Sequence, residues 1–136
     1  MQAEATPTVV AVLNDLMFQV RIEHAAKHAG RKPLFVKSQA EALALAQQMP
    51  SLIIVDLNYS PAQPLELIDK LRANERTRSV PLLGYVSHVQ TDLRRQAVEH
   101  GCDVVVARSK FVDSLPELLS ASGLSSAGKD PLSSPI

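Results

Sequence analysis

Leu52-Ile53-Ile54-Val55-Asp56-Leu57 is the stretch that organises the chain. Four branched apolar residues run straight into a carboxylate. A polar, proline-rich segment follows at once, in Asn58-Tyr59-Ser60-Pro61-Ala62-Gln63-Pro64. An unbroken apolar run suits a strand buried on both faces, as in a parallel sheet. Asp56 then stands at the carboxyl end of that strand, the edge of open α/β sheets where ligands and chemistry collect. A plainer role competes with this one, because aspartates at strand ends also cap turns.

Working outward, four more stretches read as strands: Thr8-Val9-Val10-Ala11-Val12-Leu13, Pro33-Leu34-Phe35-Val36-Lys37, Val80-Pro81-Leu82-Leu83-Gly84-Tyr85-Val86 and Asp103-Val104-Val105-Val106-Ala107. Helical patterns separate them. Phe18, Ile22, Ala25, Ala26 and Ala29 form one stripe, and Gly30 is placed to end it. Ser38 and Glu41 have the spacing of a capping box, in which a hydroxyl and a carboxylate satisfy orphan N–H groups. Pro64 suits the first helical position, ahead of Leu65, Ile68 and Leu71. Ser87 with Gln90 is read as the cap of a helix running to His100, which Gly101 stops. Ser114 with Glu117 repeats the capping-box spacing, and Leu115, Leu118 and Leu119 line the last helix.

Five strand–helix alternations predict a flavodoxin-like, doubly wound α/β fold: a five-stranded parallel sheet of order 2-1-3-4-5 with helices on both faces. Val12, Ile54, Val55, Leu83 and Val105 are expected in its core. The domain is placed at residues 8–121. Residues 122–136, rich in Ser, Pro and Gly, read as a flexible C-terminal tail.

Composition narrows the function classes. The chain has 136 residues, of which 46% are hydrophobic, enough for one domain with a full core. Lys plus Arg equals Asp plus Glu at 14 each, so the charge balance supports neither a nucleic-acid nor a membrane surface. The basic residues at Arg72, Arg76, Arg78 and Arg94-Arg95 read as solvated helix ends. A single cysteine, Cys102, fits a reducing compartment and a buried structural thiol. With no basic-then-apolar leader at the start, the expected location is cytoplasmic. Five glycines without a phosphate-loop pattern make a dinucleotide or P-loop site a poor reading.

With Asp56 ending the third of five βα units, residues 8–121 resemble the receiver domains of two-component response regulators. Asp56 to Leu67 lies on the family's loop after the phosphoacceptor without a gap, with Pro64 where most members carry glycine. Val80-Pro81-Leu82-Leu83 is similar to the family's fourth strand, and Gly101-Cys102-Asp103 to the Gly-Ala-Asp that opens the fifth. The resemblance implies an Asp phosphoacceptor and an acid pair that together hold Mg²⁺. It further implies a hydroxyl after strand four, a lysine–proline pair after strand five, and an aromatic switch on strand five.

Carried over without gaps, only part of that set survives. Asp56 matches the acceptor. The acid pair falls on Leu13 and Asn14, with Asp15 one position further as a substitute ligand candidate. The hydroxyl falls on Val86, with Ser87 beside it. The aromatic falls on Val105, the lysine on Arg108 and the proline on Ser109. Leucine cannot ligate a metal, and guanidinium is a broad planar donor where ammonium is a compact one. Losing one well-placed electrostatic group costs on the order of 3 kcal/mol of transition-state stabilisation.

The resulting expectation is a non-enzymatic pseudo-receiver that needs no cofactor. It would act by protein–protein contact in bacterial signalling, through residues 91–121, with a homodimer as one form of that contact. Two alternatives stand beside it. One is a phosphorylatable stand-alone receiver using Asp56, with Mg²⁺ held by Asp15 and Asp56. The other is a small-ligand module on the same sheet edge. His24 and His28, four apart, read as a solvated helix face rather than a metal site, since no third ligand stands near. Tyr59 is read as shielding the site or contacting a partner, with ordinary loop packing as the plainer role, and His88 reads as an exposed loop residue. The Ser87–His88–Asp56 combination lacks the Gly-x-Ser-x-Gly elbow of a hydrolase.

Overall fold

The computed structural model describes residues 6–87 and 90–120. Strands β1 (Thr8–Val12), β2 (Lys32–Val36), β3 (Leu52–Asp56), β4 (Leu82–Val86) and β5 (Val104–Ala107) alternate with five helices. These are α1 (Leu16–His28), α2 (Gln39–Ala46), α3 (Pro64–Ala73), α4 (Thr91–His100) and α5 (Arg108–Leu118). The strands form one parallel sheet of order β2-β1-β3-β4-β5, the order expected from the sequence.

The pleat divides the apolar runs between two layers. Ile53 and Val55 of β3 face Ala42 and Ala46 of α2, Leu67, Ile68 and Leu71 of α3, and Ala97 of α4. Leu52 and Ile54 face Phe18, Ile22 and Ala25 of α1 and Phe111, Leu115 and Leu118 of α5. Every β3 residue is buried, because strands flank it on both sides and helices cover both faces. Each such aliphatic side chain contributes on the order of 2 kcal/mol. Val12, Ile54, Val55, Leu83 and Val105 are all in the core. Pro33 is tolerated because β2 is an edge strand, where a missing ladder donor is least costly.

Several local signals act as read. The Ser38 hydroxyl accepts from Glu41 N–H at 3.1 Å, and the Glu41 carboxylate reaches back to Lys37 N–H at 3.1 Å. Gly30 follows α1 with φ +75°, a conformation L side chains avoid.

Other signals were misplaced. Gln90, not Ser87, is the N-cap residue of α4, and its side chain makes no cap hydrogen bond. Helix α5 starts at Arg108, directly from β5, and not at Ser114. Ser114 lies inside that helix, where neighbouring N–H groups are already paired and leave its hydroxyl no orphan donor to cap. Arg72 is no solvated helix end. Its Nε donates to the Gly101 carbonyl at 2.8 Å, its Nη1 to the Arg78 and Val80 carbonyls at 2.6 and 2.8 Å, and its Nη2 to Asp103 at 2.8 Å. Arg76 likewise donates to the Gln47 carbonyl. The expected tail, residues 122–136, lies outside the described residues, as does His88. No helix among the described residues is long and apolar enough to cross a membrane.

Candidate functional site

Asp56 ends β3 at the carboxyl edge of the sheet and is only 9% exposed. Its Oδ1 accepts from Asn58 N–H at 2.9 Å, so the plain turn-capping role is present. Burial pushes its carboxyl above the ordinary carboxylate value. The Asn58 N–H and the Arg108 charge oppose that shift, and Asp15 adds to it.

Asp15 and Arg108 close the site beside it. Asp15 caps α1, its Oδ1 accepting from Phe18 N–H at 3.1 Å. Its Oδ2 accepts from Arg108 Nη2 at 2.5 Å. Both carboxylate oxygens are thus engaged inside the chain. The Arg108 guanidinium also lies over the Phe18 ring, 4.4 Å from its centroid.

Beneath the arginine is an aromatic stack. Phe18 of α1, Tyr85 of β4 and Phe111 of α5 have ring centroids 4.5 to 5.8 Å apart. They meet because Tyr85 shares the face of Leu83, against α1 and α5, while its backbone pairs with Asp56 in the ladder. Tyr85 is 1% exposed. Its hydroxyl lies in the field of Asp56 but outside good hydrogen-bond geometry, leaving it without a full partner. Burial, then the Asp56 charge, push the phenol well above its ordinary value and keep it protonated.

The remaining predicted positions scatter. Leu13 is fully buried on the α1 and α5 side, where it offers no oxygen, and Asn14 is exposed. Val86 and Val105 are buried in the opposite layer. Ser87 and Ser109 do reach the edge, where they line an open groove of about 490 Å³ with Phe18, Arg108 and Val112. The structure therefore brings Asp15, Asp56, Ser87, Arg108 and Ser109 to one edge and leaves Leu13, Val86 and Val105 in the core.

Three participants were not foreseen. Tyr85 was read only as a strand residue; the signal was an aromatic just before the hydroxyl position. Asn58 accepts from Ser87 N–H at 2.8 Å and donates to Gln90 Oε1 at 2.6 Å, tying the loop after β3 to the loop after β4. Gln90 is the other half of that tie. Tyr59 takes the plainer of its two roles, loop packing, its hydroxyl donating to the Lys37 carbonyl at 2.8 Å. The His24 and His28 rings lie 4.5 Å apart, yet no group of three or more His, Cys, Asp or Glu residues is arranged to hold a metal among the described residues. Cys102 is buried, with its thiol pushed up to about 12 by burial.

No family model matches the chain, and no curated protein matches it. Solved structures do. A response regulator from Hahella chejuensis is 21% identical with a TM-score of 0.75, covering 91% of this chain and 96% of that one. The phosphorylated cyanobacterial phytochrome response regulator RcpA is 17% identical with a TM-score of 0.74, covering 90% and 97%. The receiver domain of sensor histidine kinase PA1611 from Pseudomonas aeruginosa, with a magnesium ion coordinated in its active-site cleft, is 18% identical with a TM-score of 0.74, covering 89% and 99%. In architecture and strand order, this chain has the fold of response regulator receiver domains.

Proposed function

We propose that the chain is a pseudo-receiver: a signalling domain that keeps the receiver fold, acts by protein–protein contact and does not run Mg²⁺-dependent phosphotransfer. The observation that carries this reading is the closed Asp15–Arg108 bridge. Asp15 already accepts from Phe18 N–H and from Arg108, so a cation there would compete with a helix cap and a guanidinium for its oxygens. Leu13 supplies no ligand, and one oxygen of Asp56 holds the turn at Asn58. Mg²⁺ keeps several waters but is held by one or two carboxylates, and here one of the two candidates is already committed to Arg108 and the other to the turn, a poor donor set for it. Val86 gives no hydroxyl to a phosphoryl group, and Val105 no aromatic to report its arrival. The contact surface we assign to signalling partners is residues 91–121, with Arg95 and Glu99 exposed on α4 and Lys110 on α5. The balanced charge favours protein over nucleic acid or membrane as the partner, and a cytoplasmic setting suits the lone buried thiol.

One observation favours a second reading, a receiver phosphorylated on Asp56. The carboxylate stands at the acceptor position with a cation, Arg108, in its field. A phosphorylated regulator and a magnesium-bound receiver share the fold. Intact mass after incubation with acetyl phosphate and Mg²⁺ separates the two. The pseudo-receiver gains no phosphoryl group; a gain that disappears in Asp56→Asn establishes the second reading instead.

A further inference from the structure

We propose that the groove at the start of α5 binds a small monocarboxylate with an apolar body. The proposal goes beyond the reading above, since it adds a soluble ligand to a domain that works by contact. The groove, of about 490 Å³, is lined by Phe18, Ser87, Arg108, Ser109 and Val112. Small-molecule sites span roughly 300–1,000 Å³ and combine apolar walls with a few polar groups. Phe18 and Val112 supply the apolar walls, both belonging to the layer between the sheet and helices α1 and α5. Arg108, Ser109 and Val112 are spaced i, i+1 and i+4 on α5, so they adjoin on its surface. One turn of helix thus offers a cation, a hydroxyl and an apolar contact within reach of a single small molecule.

The polar groups at this place are donors, and they select an anion. Among the described residues Arg108 gives only Nη2 to a hydrogen bond, with Asp15, and its side chain is 43% exposed. The guanidinium donors left over keep the planar fork that matches a carboxylate. Helix α5 starts with no side-chain cap and no acidic residue in its first turn, so its first N–H groups are open and its dipole favours negative charge. Tyr85, stacked under Phe18, adds a buried hydroxyl without a full partner in the field of Arg108. Asp56 then decides between anions. Its carboxylate acts in the same field, and Asp15 already offsets part of the Arg108 charge. A phosphate dianion brings two charges against Asp56 and has no apolar part to bury. A monocarboxylate brings one charge, and its body covers Phe18 and Val112.

Isothermal titration of the full chain with 3-phenylpropanoate tests the proposal. The native chain saturates with a Kd of about a millimolar or tighter. The matching alcohol, 3-phenylpropanol, binds about tenfold more weakly or not at all, because it lacks the charge. Acetate, which lacks the body, and inorganic phosphate give no saturation in the same range. Arg108→Met, which keeps length and loses charge, weakens binding about tenfold. Ser109→Glu sets a like charge in the groove and abolishes binding; the position is exposed at a helix start, where a carboxylate is tolerated, so the variant melts like the native chain. Arg95→Met, on α4, titrates like the native chain. No saturation by 3-phenylpropanoate up to about 10 mM overturns the proposal. So does equal affinity for the alcohol or for phosphate, binding that survives both Arg108→Met and Ser109→Glu, or binding lost in Arg95→Met. Phosphorylation of Asp56 in the mass assay would overturn the pseudo-receiver reading alone, since this titration uses neither metal nor phosphodonor.

Discussion

Two arginines, Arg72 and Arg108, each grip an aspartate, and they do so differently. Arg72 sits away from the sheet's carboxyl edge, 20% exposed, with three backbone carbonyls and Asp103 around it. Asp103 in turn accepts from Leu82 N–H. That cluster ties the end of α3 to the entries of β4 and β5. Gly101 is part of it: a Cβ there would lie 2.6 Å from Arg72 Cγ, and its φ is +128°. Arg108 meets a single acceptor residue, Asp15, lies over one ring, is 43% exposed and borders an open groove. A guanidinium with four of its five N–H donors matched within the chain is a staple. One left with spare donors at the sheet edge is available to something outside the domain.

The contrast predicts a ranking of stabilities. Arg72→Ala should be the most damaging, lowering unfolding free energy by about 2 kcal/mol in urea titration, because it strands three carbonyls, two of them in part-buried bonds, and a half-exposed aspartate. Arg72→Lys should recover little of that, since an ammonium cannot span the same four acceptors. Arg108→Ala should cost about 1 kcal/mol, since its ion pair is half-exposed and screened. Equal losses at the two positions would erase the distinction between staple and edge.

Asp56→Asn should have the smallest effect, and of opposite sign. Burial raises the folded-state pKa of Asp56 above its ordinary 3.8. Its protonated form therefore favours folding below pH 3.8, and that contribution is lost as pH rises through the folded-state value. At pH 7 the charged carboxylate is a burden that asparagine removes while still accepting from Asn58 N–H. The expected gain is on the order of 0.5 kcal/mol. Urea midpoints should show it at pH 7 and show it shrinking as pH falls through the folded-state value, with nothing left of it below pH 3.8. A loss at pH 7 would mean that Arg108 and Asn58 outweigh the cost of burial.

The parts of this fold that could be read in the sequence were those with a one-dimensional signature. Apolar runs gave the five strands, and the Ser38–Glu41 spacing gave a genuine cap. The same spacing misled at Ser114, because a capping box signals a helix start only where the chain is not already helical. Asp56 could be placed from its strand, and Arg108 from β5, which it directly follows. What Arg108 holds could not, since Asp15 lies 93 residues away in sequence. Arg72 was misread for the same reason: its acceptors are carbonyls brought near by folding, and a carbonyl carries no sequence signal. Tyr85 became a site residue only through register, which sets it opposite Asp56.

The sheet order has a consequence for how the chain is made. Strand β1 pairs with both β2 and β3, so residues 8–56 contain a complete three-stranded sheet with its own pairings. β4 then pairs with β3, and β5 with β4. A ribosome delivering the protein from its amino end supplies β1, β2 and β3 first, and each later βα unit arrives at an edge already in place. No strand has to wait for a partner synthesised more than two units later, which limits the time any apolar edge stands open during translation.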